Sequence, residues 1–269
     1  STHESCVIIE PDGPQSLSWF LELAHRFENF FSLLLGTSVG LLSVAVKVED
    51  KTGWFVRRPR SKIQKPDPRI WIRCDGTQLA SVILRWLETL EALRPVEALA
   101  YGTVRNSKLF VETEFLSLAQ AIESFHRVTD KAVIVGQEQF KAILASLQNA
   151  IFTLCGDSDI ATRLDESIGS ANEPNFGQRI KKLFSRISEQ NLHRLLGDPG
   201  EFEQTLRQTR NFFTHPGIKK KSKVLTDPRD MFLFNQKLHA FLRLLVLIHL
   251  GFPEQSAIEA AVQQSLRWH

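Results

Sequence analysis

The sequence predicts a mainly α-helical protein, a helical bundle preceded by a small mixed α/β segment. From Thr77 onward, apolar residues recur at helical spacing almost to the end of the chain. The breaks between those stretches hold glycine, proline, asparagine and aspartate, which end helices and turn the chain. Strand-like alternation is confined to the first 75 or so residues. A chain of 269 residues, 43% hydrophobic, has room for two domains and material for a buried core. We place the first domain at residues 1–110 and the helical domain at 111–269. The chain opens on Ser1 rather than methionine, so residues 1–110 read as the end of an N-terminal sensor or linker domain.

The first helix is announced by the capping-type residues Ser16 and Ser18, then Trp19, Phe20, Leu23, Phe27, Phe30, Phe31, Leu34 and Leu35 at helical spacing. Gly36 should stop it. Val44, Val46 and Val48 alternate with Ser43, Ala45 and Lys47, and "GWFVRR" and "RIWIRC" repeat the β-branched and aromatic pattern, giving about three strands. Edge strands need cover, which the preceding helix or an upstream β domain would supply. "ASVILRWLETLEAL" carries the stripe Val82, Ile83, Trp86, Leu87, Leu90 and Leu93, and Pro95 is placed to open a new helix. "EFLSLAQAIESFHRV" follows, and further helices are expected at 137–154, 157–168, 176–195, 200–214, 228–250 and 254–267.

Composition removes several function classes. Lysine and arginine exceed aspartate and glutamate by 33 to 30, a net charge of +3, so attraction to a polyanion must be local. Cys6, Cys74 and Cys155 are odd in number and widely spaced, which argues against a disulfide framework and for a reducing, cytoplasmic setting. The apolar run Phe241–Leu250 is half a membrane span and contains Arg243 and His249, so it reads as a buried helix and no membrane partner is expected. There is no His-Glu-x-x-His, no glycine-rich phosphate loop and no Gly-x-Ser-x-Gly, and the eight histidines are scattered. No metal and no cofactor is expected.

What remains is arginine followed at short range by histidine, a pattern found at Arg186 to His193, Arg210 to His215 and Arg243 to His249. The third lies in the apolar "FLRLLVLIHLG" and reads as a core helix; the second half of "SRISEQNLHRLLG" makes the first a solvated helical face. "TRNFFTHPG" differs. His215 precedes Pro216, so it should sit in extended backbone where the helix ends, its ring projecting from a terminus. Phe212 and Phe213 are expected to anchor the segment in the core, fixing Arg210 and Asn211. Lys219, Lys220, Lys221 and Lys223 follow at once and could hold a phosphate backbone. A structural reading stands beside this one: histidine is favoured at a helix C-terminus by the dipole, and lysine runs are usually solvated loops.

The form Arg-Asn-x-x-x-His at 210–215, followed by Gly217, resembles the signature of HEPN domains. Together with "FLSLAQAIESFHRV" at 115–128 and "NFGQRIKKLF" at 175–184, it resembles the Apea-like branch over roughly 112–250, with Glu123 and Arg127 forming a Glu-x-x-x-Arg helix motif. The resemblance implies an α-helical bundle that dimerises, and a metal-independent ribonuclease of toxin and antiviral systems, here an effector of abortive defence against bacteriophage. Its implied partners are RNA, transfer RNA included, a second copy of the chain and a phage-derived trigger.

Metal-free RNA cleavage needs a base for the ribose 2′-OH and a clamp for charge building at phosphorus. An unperturbed histidine titrates near 6.5 and can move that proton, so His215 is the general base or acid. Arg210 is the clamp, and Asn211 orients His215 or a phosphate oxygen. Glu123 and Arg127 either brace the cleft or form an exposed i,i+4 ion pair. The second reading of the whole domain is a non-catalytic helical module for dimerisation or RNA binding.

Overall fold

A computed structural model describes residues 8–36, 39–40, 43–48, 51–56, 72, 75–105, 109–130, 133–156, 158–215, 217, 219 and 222–266. It separates into two compact units, Ser1–Ile72 and Arg73–His269. In the second, the helix that begins at Gly76 packs along the one that follows it.

In the first unit, α1 (Leu17–Leu35) starts where Ser16 accepts the Trp19 N–H and stops at Gly36, whose φ of 62° lies in the left-handed region that glycine enters without a Cβ clash. Leu23, Phe27, Phe30, Leu33 and Leu34 form its buried stripe. The strands β1 (Ser43–Val48) and β2 (Lys51–Val56) pair antiparallel, with Ser43 opposite Val56 and Val48 opposite Lys51. The third expected strand, in "RIWIRC", lies outside the described residues except for Ile72, which is buried and donates its N–H to the Leu34 carbonyl at 3.0 Å.

The second unit is helical. α2 (Gly76–Arg105) runs unbroken through Pro95, contrary to the expected restart there. Proline removes one helical hydrogen bond, but Pro95 is exposed, while Leu93 and Val96 beside it are buried and the Trp86 indole donates to Glu97 across it at 3.2 Å. Packing on α3 (Val111–Thr129) thus holds both halves in one line. α4 (Gln137–Cys155) and α5 (Asp159–Gly169) pack chiefly on each other as a hairpin.

The single helix expected at 176–195 is two: α6 (Phe176–Phe184) and α7 (Glu189–Leu196). The cause is a tertiary acceptor. Glu254 receives the Ser188 N–H and hydroxyl at 2.9 and 2.7 Å and the Asn191 amide at 2.7 Å, bonds that hold its carboxylate below the usual range and draw the backbone out of helical continuation. α8 (Pro199–Thr214), α9 (Pro228–His249) and α10 (Glu254–Leu266) follow the expected spans. α9 is long and apolar enough to cross a membrane by composition. It is instead the central helix, flanked by α3 and α10, with Leu238, Phe241, Leu244 and Leu247 fully buried. Arg243 within it donates to the Ala260 carbonyl at 3.1 Å and to Gln264 at 3.2 Å, the satisfaction a buried guanidinium requires.

Candidate functional site

α8 carries the Arg-Asn-x-x-x-His sequence. Its start is firm: Asp198 caps the Glu201 N–H at 2.6 Å and Pro199 occupies the first turn, where its missing N–H costs nothing. Phe202, Leu206 and Thr209 at i, i+4 and i+7 are buried against the bundle. Burial then falls along the helix, with residues 210–213 half-buried and Thr214 and His215 exposed. Phe212 and Phe213 therefore do not anchor the segment in the core as expected; they lie half-buried, edge to face on each other at 5.3 Å, because the last turn of α8 runs past the packed layer. His215 is the C-cap, with φ −125° and ψ 96°, the extended conformation expected before a proline, and its N–H donates to the Asn211 carbonyl at 3.0 Å.

Arg210 is held from three directions. Its guanidinium carbon lies 5.1 Å from the centroid of the Phe176 ring, and it donates to Glu123 Oε2 at 3.3 Å and to Asn211 Oδ1 at 3.4 Å. Glu123 is 8% exposed. Its Oε1 accepts from the exposed Arg127 at 3.0 and 3.3 Å, an i,i+4 pair on α3, while its Oε2 reaches Arg210, so the buried Glu123 links α3 to α8.

The network extends to the turn before α6. Arg127 donates to Glu173 Oε2 at 2.7 Å and Arg179 to the same oxygen at 2.9 Å. Burial works against the Arg127 charge, yet its bonds to Glu173 and Glu123 outweigh that and raise its pKa. The Arg127 bond and charge, with help from Arg179, hold Glu173 low. Arg179 Nη1 lies 3.3 Å from His126 Nδ1, and since arginine can only donate, Nδ1 is the acceptor and the imidazole proton sits on Nε2. Full burial pushes His126 down to about 4 against the pull of Asp130, with Arg179, Arg186 and Lys182 adding to the depression. This histidine is neutral at pH 7 and braces the site without exchanging protons. Arg186, expected on a solvated face, is tied to Thr129 at 2.9 Å and Asp130 at 3.3 Å at the end of α3.

An open groove of about 510 Å³ lies between the start of α6 and α8, lined among others by Asn175, Gln178 and Lys181 on one side and Arg207, Arg210 and Asn211 on the other. Gly177 makes the close approach possible, since a Cβ there would stand 2.6 Å from Glu203 Oε1 and 3.1 Å from Arg207 Cδ. His215 is not among the lining residues.

Lys219 is exposed, and Lys220 and Lys221 lie outside the described residues. At residues 223–225 the chain lies beside α8: the Lys223 N–H donates to Gln208 at 3.3 Å and the Leu225 N–H to Thr209 Oγ1 at 3.0 Å. The Lys223 ammonium pairs with Glu201, in the first turn of α8, at the far end from His215.

Sequence reasoning missed Arg207, although its spacing to Arg210 and Asn211, i, i+3 and i+4, puts all three on one helical face. Glu173, in the turn before α6, had no local signal at all. Among the described residues, no three His, Cys, Asp or Glu side chains cluster as a metal would require.

Comparison with curated proteins and with solved structures returned no match. Among family models, the N-terminal domain 1 of ApeA matches residues 2–86. The model of the Apea-like HEPN domain matches 116–256, more than half of the chain, from within α3 to within α10 and so across Glu123, Arg127, Arg210, Asn211 and His215. With that span matched on an all-helical unit of this shape, the chain belongs to the Apea-like HEPN family.

Proposed function

We propose that this protein is a metal-independent endoribonuclease, the effector of a cytoplasmic defence system against bacteriophage, acting on RNA, transfer RNA included, as a homodimer formed through its helical domain and released by a phage-derived trigger. The observation that carries the reading is Arg210, a guanidinium pinned by Glu123, Asn211 and the Phe176 ring yet half-open to solvent beside a groove, with an exposed histidine closing the same helix. Arg210 and His215 are five residues apart, a rise of about 7.5 Å along the helix axis, and in this reading a phosphodiester laid over the last turn of α8 is contacted by both.

In this mechanism the 2′-oxygen attacks its neighbouring phosphorus, the bond from phosphorus to the 5′-oxygen breaks, and the products are a 2′,3′-cyclic phosphate and a 5′-hydroxyl. His215 accepts the 2′-OH proton or returns one to the leaving 5′-oxygen. A second histidine from the partner copy could serve the complementary step, which is the chemical advantage of an isologous dimer. Arg210 stabilises the charge on the nonbridging oxygens, and its prior fixation means little reorganisation accompanies the reaction. Asn211 holds the Arg210 guanidinium and presents its amide N–H groups to the phosphate.

The test is incubation of wild type, His215→Ala and Arg210→Ala with total and transfer RNA in EDTA, with identification of product ends. Cyclic phosphates from wild type only, with both variants folded, support the assignment. Equal cleavage by all three removes it, and binding without cleavage by any of them favours the non-catalytic RNA-binding module.

A further inference from the structure

Arg207, Lys181 and Gly177 have no part in the mechanism above, yet they shape the groove that adjoins Arg210. Arg207 stands three residues before Arg210 on the same face of α8, a rise of about 4.5 Å. Its Nε donates to Glu203 Oε1 at 2.7 Å. Glu203 is itself 6% exposed, so this bond fixes the arginine from behind. The two terminal nitrogens of Arg207 have no partner among the described residues, which leaves the forked end free for two oxygens of an anion. Across the groove, Lys181 is exposed and has no ion-pair partner among the described residues. Asn175 and Gln178 satisfy each other's backbone in a capping box, so the cationic side chains, not the helix end, supply the attraction. Within the lining, Lys181, Arg207 and Arg210 face the single carboxylate of Glu203, an excess of positive charge in a chain whose net charge is only +3.

We propose that this groove is a subsite for a backbone phosphate of single-stranded RNA adjacent to the cleaved one, with Arg207 and Lys181 as its contacts and Gly177 leaving the room that Arg207 and Glu203 occupy. The location relative to the scissile phosphate rests on the ribonuclease reading; the affinity for a polynucleotide does not. The groove is open rather than closed, which suits a continuous strand passing on to Arg210 better than a small enclosed anion.

The experiment measures binding of a short single-stranded RNA carrying 2′-deoxyribose, which cannot be cleaved, by fluorescence anisotropy across a salt series, beside kcat and KM on the cleavable RNA. The full chain is used as wild type, Arg207→Gln, Arg207→Lys, Lys181→Gln and the Arg207→Gln/Lys181→Gln double variant. The expected result is a roughly 10-fold loss of affinity for each glutamine variant, and a salt slope shallower by about 0.7 per contact removed. KM rises while kcat holds, and Arg207→Lys loses less than Arg207→Gln. Lys181→Gln, at an exposed position, keeps the test valid should Arg207→Gln lower the melting temperature. Unchanged affinity and slope in the double variant overturn the subsite, as does absence of oligonucleotide binding by wild type. Binding that depends on the groove without cleavage by wild type leaves the subsite standing and removes the ribonuclease. Cleavage indifferent to both variants does the reverse.

Discussion

α8 and α4 are amphipathic helices of the same compact unit, yet six residues of α8 are buried and none of α4. α8 touches α3, α6 and α7, and its side chains are locked by Phe202 and Leu206 below and by Glu123 and Phe176 beside. α4 packs chiefly on α5, leaving Phe152, Leu154 and Ile160 at 66, 84 and 65% exposure. What ties this hairpin down is its base, where the buried Asn172 accepts from the Ile134 and Val135 N–H groups and donates to the Val135 carbonyl at 2.9 to 3.1 Å. The difference teaches that an apolar stripe at helical spacing specifies a helix but not what covers it. Positioning a guanidinium to within fractions of an ångström takes a helix gripped on more than one side, and only α8 of these two has that.

The contrast can be broken most directly in the core. Leu206→Ala, at a fully buried position, should cost about 3 kcal/mol in chemical denaturation. A loss below about 1 kcal/mol would mean that α8 is not the pinned element described here.

Acid should act next, through the brace behind the site. The folded pKa of His126, about 4, lies below its unfolded value near 6.5, so the unfolded chain binds the extra proton. That contribution is fully present above pH 6.5, falls as pH drops through the window, and is gone below 4, a swing of roughly 3 kcal/mol. His126→Gln should remove it, so the difference between the two stability profiles across pH 4 to 6.5 is the readout. Parallel profiles would refute the neutral, buried imidazole.

Removing the anion that holds Arg210 sharpens the comparison at the site itself. Glu123→Gln should lower cleavage roughly 100-fold, the scale of a 1 Å misplacement, while the salt slope for binding the uncleavable oligonucleotide stays as in wild type. A rate equal to wild type would show that Glu123 does not position the arginine. The smallest effect belongs to the hairpin: Leu154→Ala should change stability by less than about 0.5 kcal/mol. A larger loss would reveal a partner surface over the stripe.

Much of the helical fold was legible because the signals are local. Ser16 and Gly36 bound α1, Asn175 opens α6, Asp198 and Pro199 open α8, and the residue before Pro216 ends it, each through contacts a few residues apart. The errors share a different cause. Pro95 stays helical because of buried neighbours, residues 185–188 leave the helix because Glu254 arrives from 66 residues away, and the half-burial of Phe212 and Phe213 follows from where the core stops. At the site, Arg210, Asn211 and His215 were readable as one short string, and Glu123 with Arg127 as another.

The sequence by itself determined where most of the helices begin and end, the extended backbone at His215 and the presence of a cation, an amide and an imidazole within six residues, since capping, proline sterics and helical period act over a turn or two. Only the tertiary structure decided that Glu123 meets Arg210 across 87 residues, that Glu173 joins two arginines, that Arg207 faces Lys181 across a groove, and that Lys223 turns away to Glu201. Those pairings are matters of charge brought together by packing, and no local rule encodes which distant carboxylate a buried guanidinium will find.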